Sequence, residues 1–116
     1  MFLQLAHKQL DIYTVAKSFV QCCYQLTKTL PPDERFNMIQ QIRRAALSVQ
    51  LNIAEGASRK SFAERKRFYE IARGSVIEID AALDIAAELQ YIKKEEQGKL
   101  GELMIRTFQM LTKMVG

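Results

Sequence analysis

The sequence predicts an all-α protein, an antiparallel up-down-up-down four-helix bundle forming one domain over residues 1–116. Three observations lead there. Apolar residues recur three and four positions apart along most of the chain. Proline occurs only as the pair Pro31-Pro32, and four of the five glycines fall near expected helix ends or in the C-terminal segment. No run alternates apolar and polar residues as a half-buried strand would. Short connections then force neighbouring helices to run antiparallel.

The first helix is expected from about Lys8 to Leu30. Its stripe is Leu10, Tyr13, Ala16, Val20, Cys23 and Leu30, widened by Ile12, Val15, Phe19, Cys22 and Leu26. Pro31-Pro32 ends it, since proline restricts the residue before it and cannot donate to the helical ladder. Asp33 is expected to cap a second helix, which turns Phe36, Ile39, Ile42, Ala46, Val49 and Ile53 inward and reaches about Ala57. Gly56 to Lys60 supplies a break. Ser61-Phe-Ala-Glu64 has the form of a capping box, in which the two side chains satisfy orphan amide donors reciprocally, so a third helix starts near Phe62. It extends to about Gln90, with Phe68, Ala72, Ser75, Ile79, Leu83 and Ala86 on the bundle face. Lys93-Lys94 marks the next turn. Leu100, Leu103, Met104, Phe108, Met110, Leu111, Met114 and Val115 give the last helix its stripe, and Gly98 and Gly101 weaken its first turns.

Hydrophobic residues make up 48% of the chain, enough for a core and too many for a disordered segment. The uncharged stretches, Ala45 to Ala54 among the longest, are far shorter than the roughly 20 apolar residues a bilayer requires, so no membrane association is expected. The first eight residues lack the basic and apolar regions of a signal peptide, which makes the cytoplasm the expected compartment. Cys22 and Cys23 read as reduced core residues, and His7 has no ligand or acid–base partner near it. No glycine-rich phosphate loop precedes a helix, and no nucleophile has a base beside it. Neither an enzyme, nor a cofactor, nor a metal is expected.

Ile77, Ala81 and Ile85 fall on the solvent side of the third helix, with Gly74 beside them. A mid-helix glycine costs about 1 kcal/mol relative to alanine. Together with three apolar residues a turn apart, it points to close approach by another helix, and so to a homo-oligomer. On the second helix Arg44, Ser48, Asn52, Glu55 and Arg59 form a polar stripe flanked by Ile42, Val49 and Ile53 on one side and Leu47 and Leu51 on the other. It reads as a structural hydrogen-bond network at a helix or subunit interface. The basic run Arg59, Lys60, Arg65, Lys66 and Arg67, joined by Arg43 and Arg44, has the make-up of an electrostatic footprint for nucleic acid, with a solvated charged turn as the alternative. Phe62 and Phe68 are expected to be packed, leaving Tyr69 as the aromatic nearest the patch, and sequence-specific readout is not expected. Glu70, Glu78, Asp80, Asp84 and Glu88 give the other half of the third helix the opposite charge, which suits assembly between subunits.

The string Ile42 to Gly56, followed by Arg59, Ser61, Glu64, Phe68, Ile71-Ala72, Gly74-Ser75 and Glu78, resembles the four-helix bundle proteins encoded in intervening sequences of bacterial 23S ribosomal RNA genes. The resemblance runs from His7 to the last helix and is most specific in the central half. It implies a small bacterial bundle that assembles into a ring, a homopentamer. It also implies a relation to the accessory variability determinant of diversity-generating retroelements, a basic ring that associates with a reverse transcriptase and RNA. Residues and resemblance together lead to a non-enzymatic homo-oligomer that binds RNA or DNA, or a nucleic-acid enzyme such as a reverse transcriptase, through a basic surface. The alternative is a structural or protein-interaction module without nucleic-acid binding.

Overall fold

The computed structural model describes residues 2–116. Its helices are α1 (Asp11–Thr27), α2 (Met38–Ala57), α3 (Phe62–Glu88) and α4 (Gly98–Val115), with short 3-10 turns at Ala6–Gln9, Pro32–Glu34 and Lys94–Glu96 and no strand among the described residues. Each helix packs on the next, and α4 closes back on α1. Cross-helix contacts fix the directions. Arg43, early in α2, bonds Thr27 at the end of α1, whereas Gln50, further along α2, donates to the Tyr13 carbonyl near the start of α1. Ser75 meets Ser48 and the Tyr69 ring meets Gly56, so α3 runs back along α2. Arg73 lies over Phe108, and Leu83 and Asp84 share a groove with Leu100 and Gly101, so α4 reverses again. The longest helix, α3, has 27 residues. At 1.5 Å per residue that is about 40 Å, nearly the 44 Å long axis of the molecule.

The four apolar stripes meet in one core, in which Phe19, Ile42, Ile53, Ile79 and Leu111 are fully buried. Cys23 belongs to it, and burial pushes its thiol up to about 12, so it stays protonated and unreactive at neutral pH. Cys22, expected in the core, is half-exposed on the seam where α1 faces α4.

Three local expectations are corrected. The second helix starts at Met38 and not directly after Asp33, because Pro31-Pro32 first closes a 3-10 turn in which the Glu34 amide donates to the Pro31 carbonyl. Asp33 makes no cap. Glu34 takes the role: its Oε1 accepts from the Met38 amide at 3.4 Å and from Asn37 Nδ2 at 3.3 Å, while Oε2 accepts from the Tyr91 hydroxyl at 3.0 Å. Phe36 is therefore in the turn, 80% exposed with the Arg35 guanidinium over its ring, and not in the core. At the start of α3 Ser61 Oγ accepts from the Glu64 amide at 3.1 Å, one half of the capping box. Gly56 does not break the chain. It is a buried residue inside α2, and a Cβ there would stand 2.7 Å from Tyr69 Cε1 and 3.1 Å from Phe68 Cβ. The absent side chain is what lets α3 lie so close.

Candidate nucleic-acid interface

In an up-down-up-down bundle the ends of the even helices and the starts of the odd ones share one end. Here that end holds the link 58–61, the first turns of α3, the last turn of α4 and the turn leading into α1. Ala6, Leu10, Ala57, Phe62, Arg65, Tyr69 and Met114 line a single groove there. Arg59, Lys60, Arg65, Lys66 and Arg67 come together at this end as the sequence suggested. Lys8 and Lys113, each within two residues of a groove-lining side chain, join them. Sequence reasoning missed both, although the helix order combined with their positions in the first and last turns was signal enough.

The cations differ in what they are free to do. Arg65 Nη1 donates to the carbonyls of Lys60 at 2.8 Å and Arg59 at 3.1 Å, tying down the link between α2 and α3. Arg59 lies past the end of α2, pairs with Glu55 at 3.0 Å and covers the Phe68 ring at 4.8 Å. Lys60, Arg67 and Lys113 are exposed, and Lys66 is half-exposed. Arg43 and Arg44 do not belong to the cluster: they stand about 20 Å away along α2. Arg43 is spent on Thr27 Oγ1 at 2.8 Å and on the Tyr24 ring, and Arg44 is exposed on the outer face. The two aromatic expectations are reversed. Tyr69 is 5% exposed, filling the space Gly56 leaves, while Phe62 is 59% exposed because its turn of α3 extends past the last turn of α2.

The polar stripe divides into two parts. Asn52 Nδ2 donates to the Ser48 carbonyl at 2.8 Å and Ser48 Oγ at 3.0 Å, and Ser75 Oγ donates to Ser48 Oγ at 3.0 Å, a half-buried seam between α2 and α3. Glu55 and Arg59 form a separate pair with side chains 56% and 40% exposed. Removing Asn52 forfeits its two half-buried hydrogen bonds to Ser48, whereas an exposed i,i+4 pair contributes little. Asn52→Ala is therefore expected to lower stability by about 1 kcal/mol and Glu55→Ala by about 0.5 kcal/mol or less. Denaturant melts of the two variants check this. An equal loss in both would show that the pair is as important as the seam.

Gly74, Ile77, Ala81 and Ile85 all lie exposed on the outer face of α3. α4 does not cover them: Ile77 and Ile105 are 50% and 58% exposed on a groove that Asp80, Met104 and Phe108 also line. A Cβ at Gly74 would meet nothing within 4 Å, so no contact inside this chain calls for a glycine there. Among the described residues no group of three or more His, Cys, Asp or Glu side chains is placed to hold a metal ion, and no helix is long and apolar enough to cross a membrane.

Fold and surface thus define an all-helical bundle with one basic end and an uncovered apolar face on its longest helix. Residues 8–113 match the family of the 23S rRNA-intervening sequence proteins, and the chain belongs to that family. A crystal structure of a protein of unknown function from the S23 ribosomal protein family of Bacteroides thetaiotaomicron has the same fold, with a TM-score of 0.80 at 22% identity over 90% of this chain and 94% of that one. Comparison with curated proteins finds no match.

Proposed function

We propose that the protein is a non-enzymatic homo-oligomer that binds RNA or DNA through the basic end of the bundle. The observation that carries this reading is the convergence of Lys8, Lys60, Lys66, Arg67 and Lys113 from four separate segments onto one end. Asp11, Glu55 and Glu64 share this end but are outnumbered by its cations, whereas at the opposite end Asp33, Glu34, Glu88, Glu95 and Glu96 balance Lys28, Arg35, Lys93, Lys94 and Lys99. Backbone phosphates need cations in a patch and no base-reading geometry. A net charge of +4 makes a single subunit a weak binder. Assembly through the outer face of α3 repeats the basic end once per subunit, and the linked contacts raise the affinity. The resemblance supports a count of five, and on the resemblance a nucleic-acid enzyme served by such a ring would be a reverse transcriptase.

The test is fluorescence anisotropy of a labelled single-stranded RNA across a salt series. Binding is expected to be tight only at low salt. Changing Lys60, Lys66 and Arg67 together to Gln should weaken unrelated RNAs about equally and flatten the slope of log affinity against log salt by about 2 for each subunit engaged, since each lost phosphate contact removes roughly 0.7. Arg65 is left intact, because its loss would release the link it holds. If the parent fails to bind at low ionic strength, or the triple variant keeps the parent's slope, the protein is better read as a protein-interaction module.

A further inference from the structure

We infer that the basic end takes an unpaired base on the ring of Phe62, so that its ligand is single-stranded nucleic acid. This rests on the nucleic-acid reading above and adds to it the kind of strand that is bound. Phe62 is 59% exposed and is the first residue of α3, held by the Ser61 cap behind it. Helix geometry sets Arg65 and Lys66 one turn on, at i+3 and i+4, so the ring stands directly before two cations on the same side of the helix. Lys60 precedes it by two residues, and Arg65 shares its groove.

The other aromatics do not offer this combination. Tyr69 is buried, and the Phe68 face is taken by Arg59 at 4.8 Å. Phe36 already carries Arg35 at 5.1 Å and sits beside Asp33 and Glu34 at the mixed-charge end. Phe2 is exposed, but on a segment outside any helix. An apolar ring on a fixed helical turn among cations matches the two parts of single-strand recognition, phosphates on cations and a base face on an aromatic face. A paired duplex hides its base faces in the stack and would use only the cations.

Two probes and two variants test the inference: a labelled oligoadenylate and an abasic oligomer of equal length, with Phe62→Leu and Phe62→Trp. Leucine keeps the apolar bulk and removes the π face. Phe62→Leu is expected to bind oligoadenylate at least about fivefold more weakly. The same variant should bind the abasic oligomer as the parent does and keep the parent's salt slope, because no phosphate contact is lost. Phe62→Trp should restore the affinity. The inference is overturned if Phe62→Leu binds oligoadenylate like the parent, if it loses the abasic oligomer equally, or if it changes the oligomeric mass, which would make the ring a contact between copies. A parent that binds neither probe at low salt overturns the proposed function together with this inference. A parent that binds both with a normal salt slope, and is indifferent to Phe62, overturns this inference alone.

Discussion

Ile77→Glu is expected to reduce the proposed oligomer to the mass of one chain in light scattering. Within the subunit the substitution changes little: Ile77 is half-exposed, and surface changes of this kind stay within about 0.5 kcal/mol. At an interface built on Ile77, Ala81 and Ile85 the new carboxylate would be buried without a partner, at about 3–5 kcal/mol per contact. Asp80, one turn on, adds repulsion, while Arg73, one turn back, already lies over the Phe108 ring. Every 1.4 kcal/mol is about tenfold in affinity, so the association constant falls by roughly two to three and a half orders of magnitude. Gly74→Leu gives the complementary result. Nothing inside the subunit obstructs a side chain there, and helix propensity improves by about 1 kcal/mol, so the subunit should melt no lower while assembly is blocked. A monomeric parent, or two variants with the parent's mass, would show that this face is not the interface.

Gly56→Leu is expected to be strongly destabilising. The Tyr69 ring occupies the space a side chain would need, with Cε1 at 2.7 Å and Cδ1 at 3.0 Å from the Cβ position, and Phe68 Cβ closes the other side at 3.1 Å. Overpacking a close contact between helices costs about 1–3 kcal/mol, occasionally more. With α2 and α3 the most extensively packed pair, the upper part of that range applies. The midpoint of thermal unfolding should fall by roughly 10 °C. Adding Tyr69→Ala removes the ring, so the double variant should lose less than the sum of the two single losses. Strict additivity would place the strain elsewhere. Gly56, read in the sequence as part of a break, is thus a packing site inside α2, while Gly74, read as a site of close approach between subunits, is open within the subunit.

Most of the basic end was legible as a run of adjacent cations, because Arg59 to Arg67 are neighbours along the chain. What each cation does was not. Arg65 and Arg59 look equivalent to Lys60 and Arg67 in sequence, yet free carbonyls of the link, the Glu55 carboxylate and the Phe68 ring stand where only those two side chains reach. The cap on α2 passed from Asp33 to Glu34 for a similar reason, since only Glu34 reaches both the Met38 amide and Tyr91 from the connection between α3 and α4.

The sequence by itself determined the helices, their order and most of the faces they bury. Pro31-Pro32, Ser61 with Glu64 and the three-and-four spacing all act within a turn or two of backbone, where neighbouring residues fix the outcome. The tertiary structure alone decided which residues share a place. It put Lys8 and Lys113 at the same end as Lys66, set Tyr69 into the space over Gly56, and left Phe62 mostly exposed although both aromatics point the same way seven residues apart on one helix. A helical period gives the direction of a side chain about its own axis. Whether another helix stands in that direction depends on where the neighbour ends.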